Sequence, residues 1–194
     1  MCYNIYESRS GRQCNKLTPE ETNMKTVCVT GHRPAKLPWG YRRYGEDYQK
    51  YTDELARRIE GYANEGVTHF ISGAALGVDT DFAEAVLAFR ERTGRDITLE
   101  CALPCPNQSL MWQEEDVARH SRLLEAADKV TIVCNKYYRG CMLERNMYMV
   151  DHADIVLAVW NGEQSGGTWN TIKYALLREK KIDIISLAPD DADI

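Results

Sequence analysis

Short apolar runs recur along the chain, and between them the apolar residues fall at helical spacing. Val27-Cys28-Val29, His69-Phe70-Ile71, Ile97 to Leu103, Val130-Thr131-Ile132-Val133, Ile155 to Val159 and Ile182 to Leu187 read as strands. The helices between them are expected at roughly Asp47 to Asn64, around Phe82 to Phe89, and at Leu110 to Ala126, Met142 to Val150 and Trp169 to Lys180. In the second of these, Phe82, Ala85, Val86 and Phe89 occupy i, i+3, i+4 and i+7, and Asp81 with Glu84 forms a candidate capping pair at its start. Near-continuous apolar strands alternating with amphipathic helices predict an α/β domain. Its sheet is doubly wound, mainly parallel and Rossmann-like, with helices on both faces. Residues 1–24 follow neither period and read as a polar N-terminal arm; the domain spans 25–189, and 190–194 form an acidic tail with Asp190, Asp191 and Asp193.

A chain of 194 residues suits one domain. Lys and Arg number 24 against 29 Asp and Glu, a formal charge of −5. That disfavours a strongly basic nucleic-acid binder, although a small basic pocket is compatible with it. No apolar stretch approaches the roughly 18 residues of a membrane span, and Met1-Cys2-Tyr3-Asn4 does not open a signal peptide. Seven cysteines is an odd number, and a chain of this size needs no disulfide staples, so a reducing cytoplasm is expected. Cys101, Cys105, Cys134 and Cys141 are spaced more widely than zinc-ribbon pairs; they are expected in the core and no metal site is expected. Cys2 and Cys14 read as free thiols of the arm.

In a doubly wound sheet the chemistry sits where strands end. The first strand runs into Thr30-Gly31-His32-Arg33-Pro34. Gly31 permits close backbone approach, His32 can donate a hydrogen bond, and Arg33 can grip a phosphate, unless this is simply a turn with an exposed arginine. The second strand runs into Ser72-Gly73-Ala74-Ala75-Leu76-Gly77-Val78-Asp79, small residues before a helix, which suits an anion cradle. Asp79 is either the helix N-cap or a carboxylate facing a ribose hydroxyl. The fifth strand leads to a second glycine-rich loop ending in Gly166-Gly167-Thr168, where the threonine either caps the helix or binds phosphate. Between them, Glu144-Arg145-Asn146 is either a solvated helix face or a pair of pocket residues projecting about 100° apart. Trp39, Tyr41 and Tyr44, and Tyr137 with Tyr138, either stack on a base or pack in surface loops.

Thr30-Gly31-His32-Arg33-Pro34, Ser72-Gly73-x-x-x-Gly77-Val78-Asp79, Leu103-Pro104-Cys105 with Gln108 and Trp112, Arg145-Asn146-x-x-Met149-Val150-Asp151 and Gly166-Gly167-Thr168 occur in that order. As an ordered set, covering roughly Thr26 to Leu187, they resemble the YpsA-like family of the SLOG superfamily. The resemblance implies a Rossmann-like fold related to the LOG phosphoribohydrolases and to DprA. It implies a nucleotide or nucleotide-derived phosphate ligand, of ADP-ribose or cyclic-nucleotide type, bound by a sensor or ligand-holding protein that forms a homo-oligomer. The implied pocket is Gly31, His32, Arg33, Ser72, Gly73, Gly77, Asp79, Arg145, Asn146, Gly166, Gly167 and Thr168, with no cofactor. A LOG-like N-glycosidase is the alternative. LOG enzymes follow the second loop with a glutamate, whereas here Trp169-Asn170-Thr171-Ile172 follows, so Asp79 or Glu144 would have to stabilise the oxocarbenium-like state. DNA binding in the manner of DprA is a third reading, and the acidic charge opposes it.

Overall fold

The computed structural model describes residues 25–188. The arm at 1–24 with Cys2 and Cys14, and the acidic tail at 190–194, lie outside the described residues. Six strands, β1 (Lys25–Gly31), β2 (Val67–Ser72), β3 (Thr98–Leu103), β4 (Lys129–Ile132), β5 (Ile155–Trp160) and β6 (Lys181–Ser186), form one sheet. Five helices alternate with them: α1 (Glu46–Asn64), α2 (Val78–Thr93), α3 (Glu114–Ala126), α4 (Cys141–Asp151) and α5 (Gly166–Leu177). The strand order is β4-β3-β2-β1-β5-β6 and every pairing is parallel.

The core has two layers because the central strands are buried on both faces. Val27 and Val29 of β1 face Leu55 and Ile59 of α1 and Val78, Phe82 and Val86 of α2. Cys28, Ile71, Ala102 and Val156 face the other way, onto Met149 and Val150 of α4 and Ala175 of α5. The chain steps outward from β1 to β4 at one edge. It then crosses back through α4 to place β5 on the other side of β1. This reversal opens a crevice beyond the carboxyl ends of β1 and β5, the place where ligands enter such sheets. Among the described residues no helix is long and apolar enough to cross a membrane.

Three helix starts differ from the sequence reading. α2 begins at Val78 with Gly77 as N-cap, so Asp81 and Glu84 form no capping pair. Instead both carboxylates hold the buried Arg119 of α3, at 2.7 and 2.6 Å. α3 begins at Glu114 rather than Leu110, and Leu110 and Met111 are exposed in the preceding turns. α5 begins at Gly166, before the apolar period becomes visible at Trp169.

One charged group lies inside the sheet. Glu100 of β3 is 2% exposed; it accepts hydrogen bonds from Thr131 and Tyr148 at 2.7 Å, from His69 at 3.2 Å and from Lys129 at 3.0 Å. Burial acts to raise its pKa, but those donors and the Lys129 charge outweigh it and bring the carboxyl down to about 2. A carboxylate depressed in the folded state stabilises the fold above its unfolded pKa, and that contribution disappears as pH falls toward the folded value. The effect is on the order of 3 kcal/mol, lost between about pH 5 and pH 2. Urea unfolding across that range should show a shallower acid slope for Glu100→Gln than for the parent; equal slopes would contradict this account of Glu100.

Candidate functional site

β1 and β5 run in register as far as Gly31 opposite Val159 and then part. Beyond them opens a cleft of about 390 Å³, within the range of small-ligand sites. One wall is Thr30, Gly31, His32 and Arg33 with Lys36 of a short 3-10 turn, Pro34–Lys36. The opposite wall is Ser165 to Thr168 at the start of α5. Asp79 of α2 and Met142, Arg145 and Asn146 of α4 close the cleft.

The start of α5 is open. Its N-cap, Ser165, is extended and makes no side-chain capping bond to the helix. α1, α2, α3 and α4 each carry an acidic residue in the first turn, and α5 carries none. The positive end of its dipole therefore meets the cleft with no carboxylate inside the turn; Glu163, just before it, accepts from the Ser165 hydroxyl and pairs with Lys36. Gly166 has φ +80°, a conformation that favours glycine. Thr168, 5% exposed, lies in the first turn and is not the cap. Its hydroxyl, like that of Thr30 across the cleft (6% exposed), makes no hydrogen bond to any described residue.

The first glycine-rich loop behaves differently. Val78 N–H donates to the His32 carbonyl at 3.4 Å and Thr80 N–H to the Ala75 carbonyl at 3.1 Å. The Asp79 carboxylate itself accepts from the Ala75 backbone N–H. Where the sequence suggests a second anion cradle, the protein thus places its own carboxylate and carbonyls. Asp79 is in the first turn of α2, not its cap, and its carboxylate faces the cleft. Burial pushes its carboxyl up, against the pull of Arg145 and Arg33.

Ser72, Gly73 and Gly77 do not line the cleft; they brace its floor. The Ser72 hydroxyl donates to the Asp79 carbonyl at 2.6 Å and accepts from Ala74 N–H. Gly77 is the α2 N-cap, packed against the His32 carbonyl. The Gly73 carbonyl accepts from Arg145 Nη1 and, at 3.2 Å, from Gln108, whose amide also reaches the Ala74 carbonyl at 2.9 Å. A Cβ at Gly73 would coincide with the Arg145 guanidinium. Gly73→Ala should therefore cost about 2–3 kcal/mol in urea unfolding, an overpacking penalty with no room to relax. A cost under about 0.5 kcal/mol would mean that the guanidinium yields freely.

Arg145, expected on a solvated face if not in a pocket, is 4% exposed. Besides Gly73 it donates to the Ala102 carbonyl at 3.3 Å and through Nε to Asn146 at 2.9 Å, and it pairs with Asp79 at 3.5 Å. Asn146 continues the chain of bonds, donating to Thr171, whose hydroxyl donates to the Gly167 carbonyl, both at 2.9 Å. One polar relay thus ties the first glycine loop to the second. Of the basic residues lining the cleft, Lys36 pairs with Glu163 at 2.7 Å and Arg145 with Asp79. Arg33 is exposed and makes no ion pair with a described residue. His32 is buried against Asn161, 2.9 Å from its side-chain oxygen, and burial lowers its pKa, so the imidazole is neutral near pH 7.

Glu144 is exposed and contacts Cys134 and Tyr138 outside the cleft, which leaves Asp79 as the cleft's carboxylate. Trp39 is buried against Tyr51 and Tyr48, and neither it nor Tyr41, Tyr44, Tyr137 or Tyr138 lines the cleft. Among the described residues no cluster of His, Cys, Asp or Glu is arranged to hold a metal ion. Sequence reasoning missed Lys36, Met142 and Ser165, which carry no motif signal, and passed over the Thr30 hydroxyl. It also missed the stacking of Trp160 on Trp169, 5.4 Å apart, which brackets the second loop.

A family model described as the YspA SLOG family matches residues 27–190. Among similar proteins, a UPF0398 protein of Halalkalibacterium halodurans is 28% identical over 175 residues, 88% of this chain and 91% of that one. The SPbeta prophage-derived protein YoqJ of Bacillus subtilis is 30% identical over 139 residues, 65% of this chain and 80% of its own length. A UPF0398 protein of Bacillus pumilus is 26% identical over 155 residues, 78% and 82% of the two chains.

Proposed function

The chain belongs to the YspA SLOG family, and on that premise we propose that it binds a nucleotide or nucleotide-derived phosphate ligand in the cleft between β1 and β5, as a sensor or ligand-holding protein. The observation that carries this reading is the uncapped start of α5, free of acidic residues, opposite the unpaired Arg33. Backbone N–H groups at a helix start together with an uncommitted guanidinium form an anion seat. The bare Cα of Gly167 fits the same reading. A Cβ there would meet no protein atom within 4 Å, and its φ is not positive, so neither packing nor backbone demands glycine. A phosphate approaching the amides closely would demand it. The Asp79 and Asn146 side of the cleft suits sugar hydroxyls.

Isothermal calorimetry of the full chain against nucleoside monophosphates, cyclic nucleotides and ADP-ribose tests the reading. Saturable one-to-one binding of at least one is expected; failure of all of them to bind the folded protein overturns it.

Asp79 motivates a second reading, cleavage of a nucleotide N-glycosidic bond. Its carboxyl is buried in the cleft with a raised pKa, and a carboxylate at the ribose stabilises the oxocarbenium-like state. Under this reading AMP incubated with the protein releases adenine, and Asp79→Asn abolishes the release.

A further inference from the structure

We propose that Cys105 and Cys141 form a reversible thiol pair that a hydroperoxide oxidises to a disulfide, joining the β3–α3 loop to the start of α4 beside the cleft. Both are free and buried, yet neither belongs to the two apolar layers of the core. Cys105 follows the end of β3 by two residues, and Cys141 is the first residue of α4. Their sulfurs interact directly. The backbone explains why the two segments meet. Cys134 N–H donates to the Pro104 carbonyl at 3.1 Å and Cys141 N–H to the Tyr138 carbonyl at 3.2 Å, so the loop after β4 returns the chain to the end of β3. Above them the Gly73 carbonyl accepts from Gln108, three residues after Cys105, and from Arg145, one turn after Cys141.

The other described thiols are placed differently. Cys28 and Cys101 lie inside strands, in opposite layers of the core, and burial pushes each thiol up to about 12; enclosed, protonated thiols are inert. The Cys134 sulfur is committed to Glu144 at 3.4 Å and Tyr138 at 3.7 Å. Burial also raises the Cys105 thiol, so oxidation starts at Cys141. That sulfur stands at the positive end of the α4 dipole, with the Arg145 guanidinium one turn on. Peroxide reaches it by local opening of the loop above, whose residues 135–140 are all exposed. Hydrogen peroxide transfers an oxygen to the Cys141 sulfur, giving a sulfenic acid and one water. The Cys105 sulfur then displaces the hydroxyl. The S–S bond forms, and the hydroxyl leaves with the Cys105 proton as a second water. Two thiols are oxidised, one peroxide is reduced to two waters, and a dithiol restores the pair. Met142, Arg145 and Asn146 follow Cys141 on α4 and line the cleft, so the crosslink fixes that wall.

Peptide mapping of the full chain tests the pair. The reduced protein is treated with hydrogen peroxide, blocked with iodoacetamide in urea, digested without reductant and analysed by mass spectrometry. A linked peptide pair holding Cys105 and Cys141 is expected, lighter by two hydrogen atoms than the separate peptides and lost after dithiothreitol, with Cys28 and Cys101 alkylated. Amide resonances of Gly73 and Asn146, neither adjacent to a cysteine, should shift between the reduced and oxidised forms. Cys105 and Cys141 both recovered as alkylated thiols after peroxide, their separate conversion to sulfinic acids, or a dominant link from either to another cysteine overturns the pair. Unmoved Gly73 and Asn146 resonances in the linked protein overturn its coupling to the cleft. None of these outcomes depends on which ligand the cleft takes.

Discussion

Arg145→Met is expected to destabilise the fold by about 3–5 kcal/mol, the cost typical of removing one partner from a buried ion pair. Three losses combine. The Gly73 and Ala102 carbonyls lose a donor, the relay through Asn146 to Thr171 and Gly167 is cut at its start, and Asp79 is left buried without its nearest cation. Methionine conserves most of the side-chain length, so the deficit reports polar loss rather than a cavity. Urea unfolding measures it. The pH dependence has a definite sign. Burial already raises the Asp79 carboxyl, and without Arg145 it rises further. A carboxyl raised in the folded state favours the fold below its unfolded pKa, and that benefit is lost as pH climbs through the folded value. The deficit of Arg145→Met should therefore grow as pH rises above the ordinary carboxylate range. Adding Asp79→Asn should recover part of it, because the uncompensated charge is gone. A pH-independent deficit with no recovery would contradict the pairing.

Arg33→Ala should do the opposite. This guanidinium is exposed, lines the cleft and has no ion-pair partner among the described residues. Its removal should leave unfolding within about 0.5 kcal/mol of the parent. If it grips the ligand phosphate, affinity for a nucleoside monophosphate should fall by about 10- to 100-fold, the worth of a charge-assisted contact. Calorimetry and urea unfolding on the same preparation separate the two effects. Unchanged affinity would remove Arg33 from the anion seat.

The contrast between these two arginines shows how far the sequence could be read. Both stand in recognisable motifs, and both are expected near a pocket. What the sequence does not specify is which one is spent. Arg145 sits on α4 facing inward, and its commitment depends on the Gly73 carbonyl, which only the β2–α2 turn brings to it. The two glycine-rich loops pose the same problem. Both are strings of small residues before a helix, yet one is filled by Asp79 and the other is open. That difference rests on where the helix starts, and apolar periodicity locates helix starts poorly. Glycines and threonines at 166–168 carry no apolar signal, so α5 is read three residues late; Val78 is masked by the loop before it, so α2 is placed at Asp81.

The strands were easier. Runs such as Ile155 to Val159 have no polar face, and burial on both sides of a parallel sheet is what such a run requires. The strand order was not legible in the same way. Nothing local in β5 states that it returns to the far side of β1, yet that crossover creates the crevice. The aromatic residues were the least informative. Trp39 follows the first turn closely enough to suggest base stacking, but it packs on Tyr51 and Tyr48 in the core.

The central claim is that phosphate is bound at the start of α5 and not at the start of α2. Amide resonances of a ¹⁵N-labelled full chain, followed by NMR during titration with AMP, address it most directly. The account predicts saturable shifts that are largest at Gly166, Gly167 and Thr168, with Ala75, Val78 and Thr80 little changed. Largest shifts in the first glycine loop, or none at residues 166–168 at saturating AMP, would contradict it.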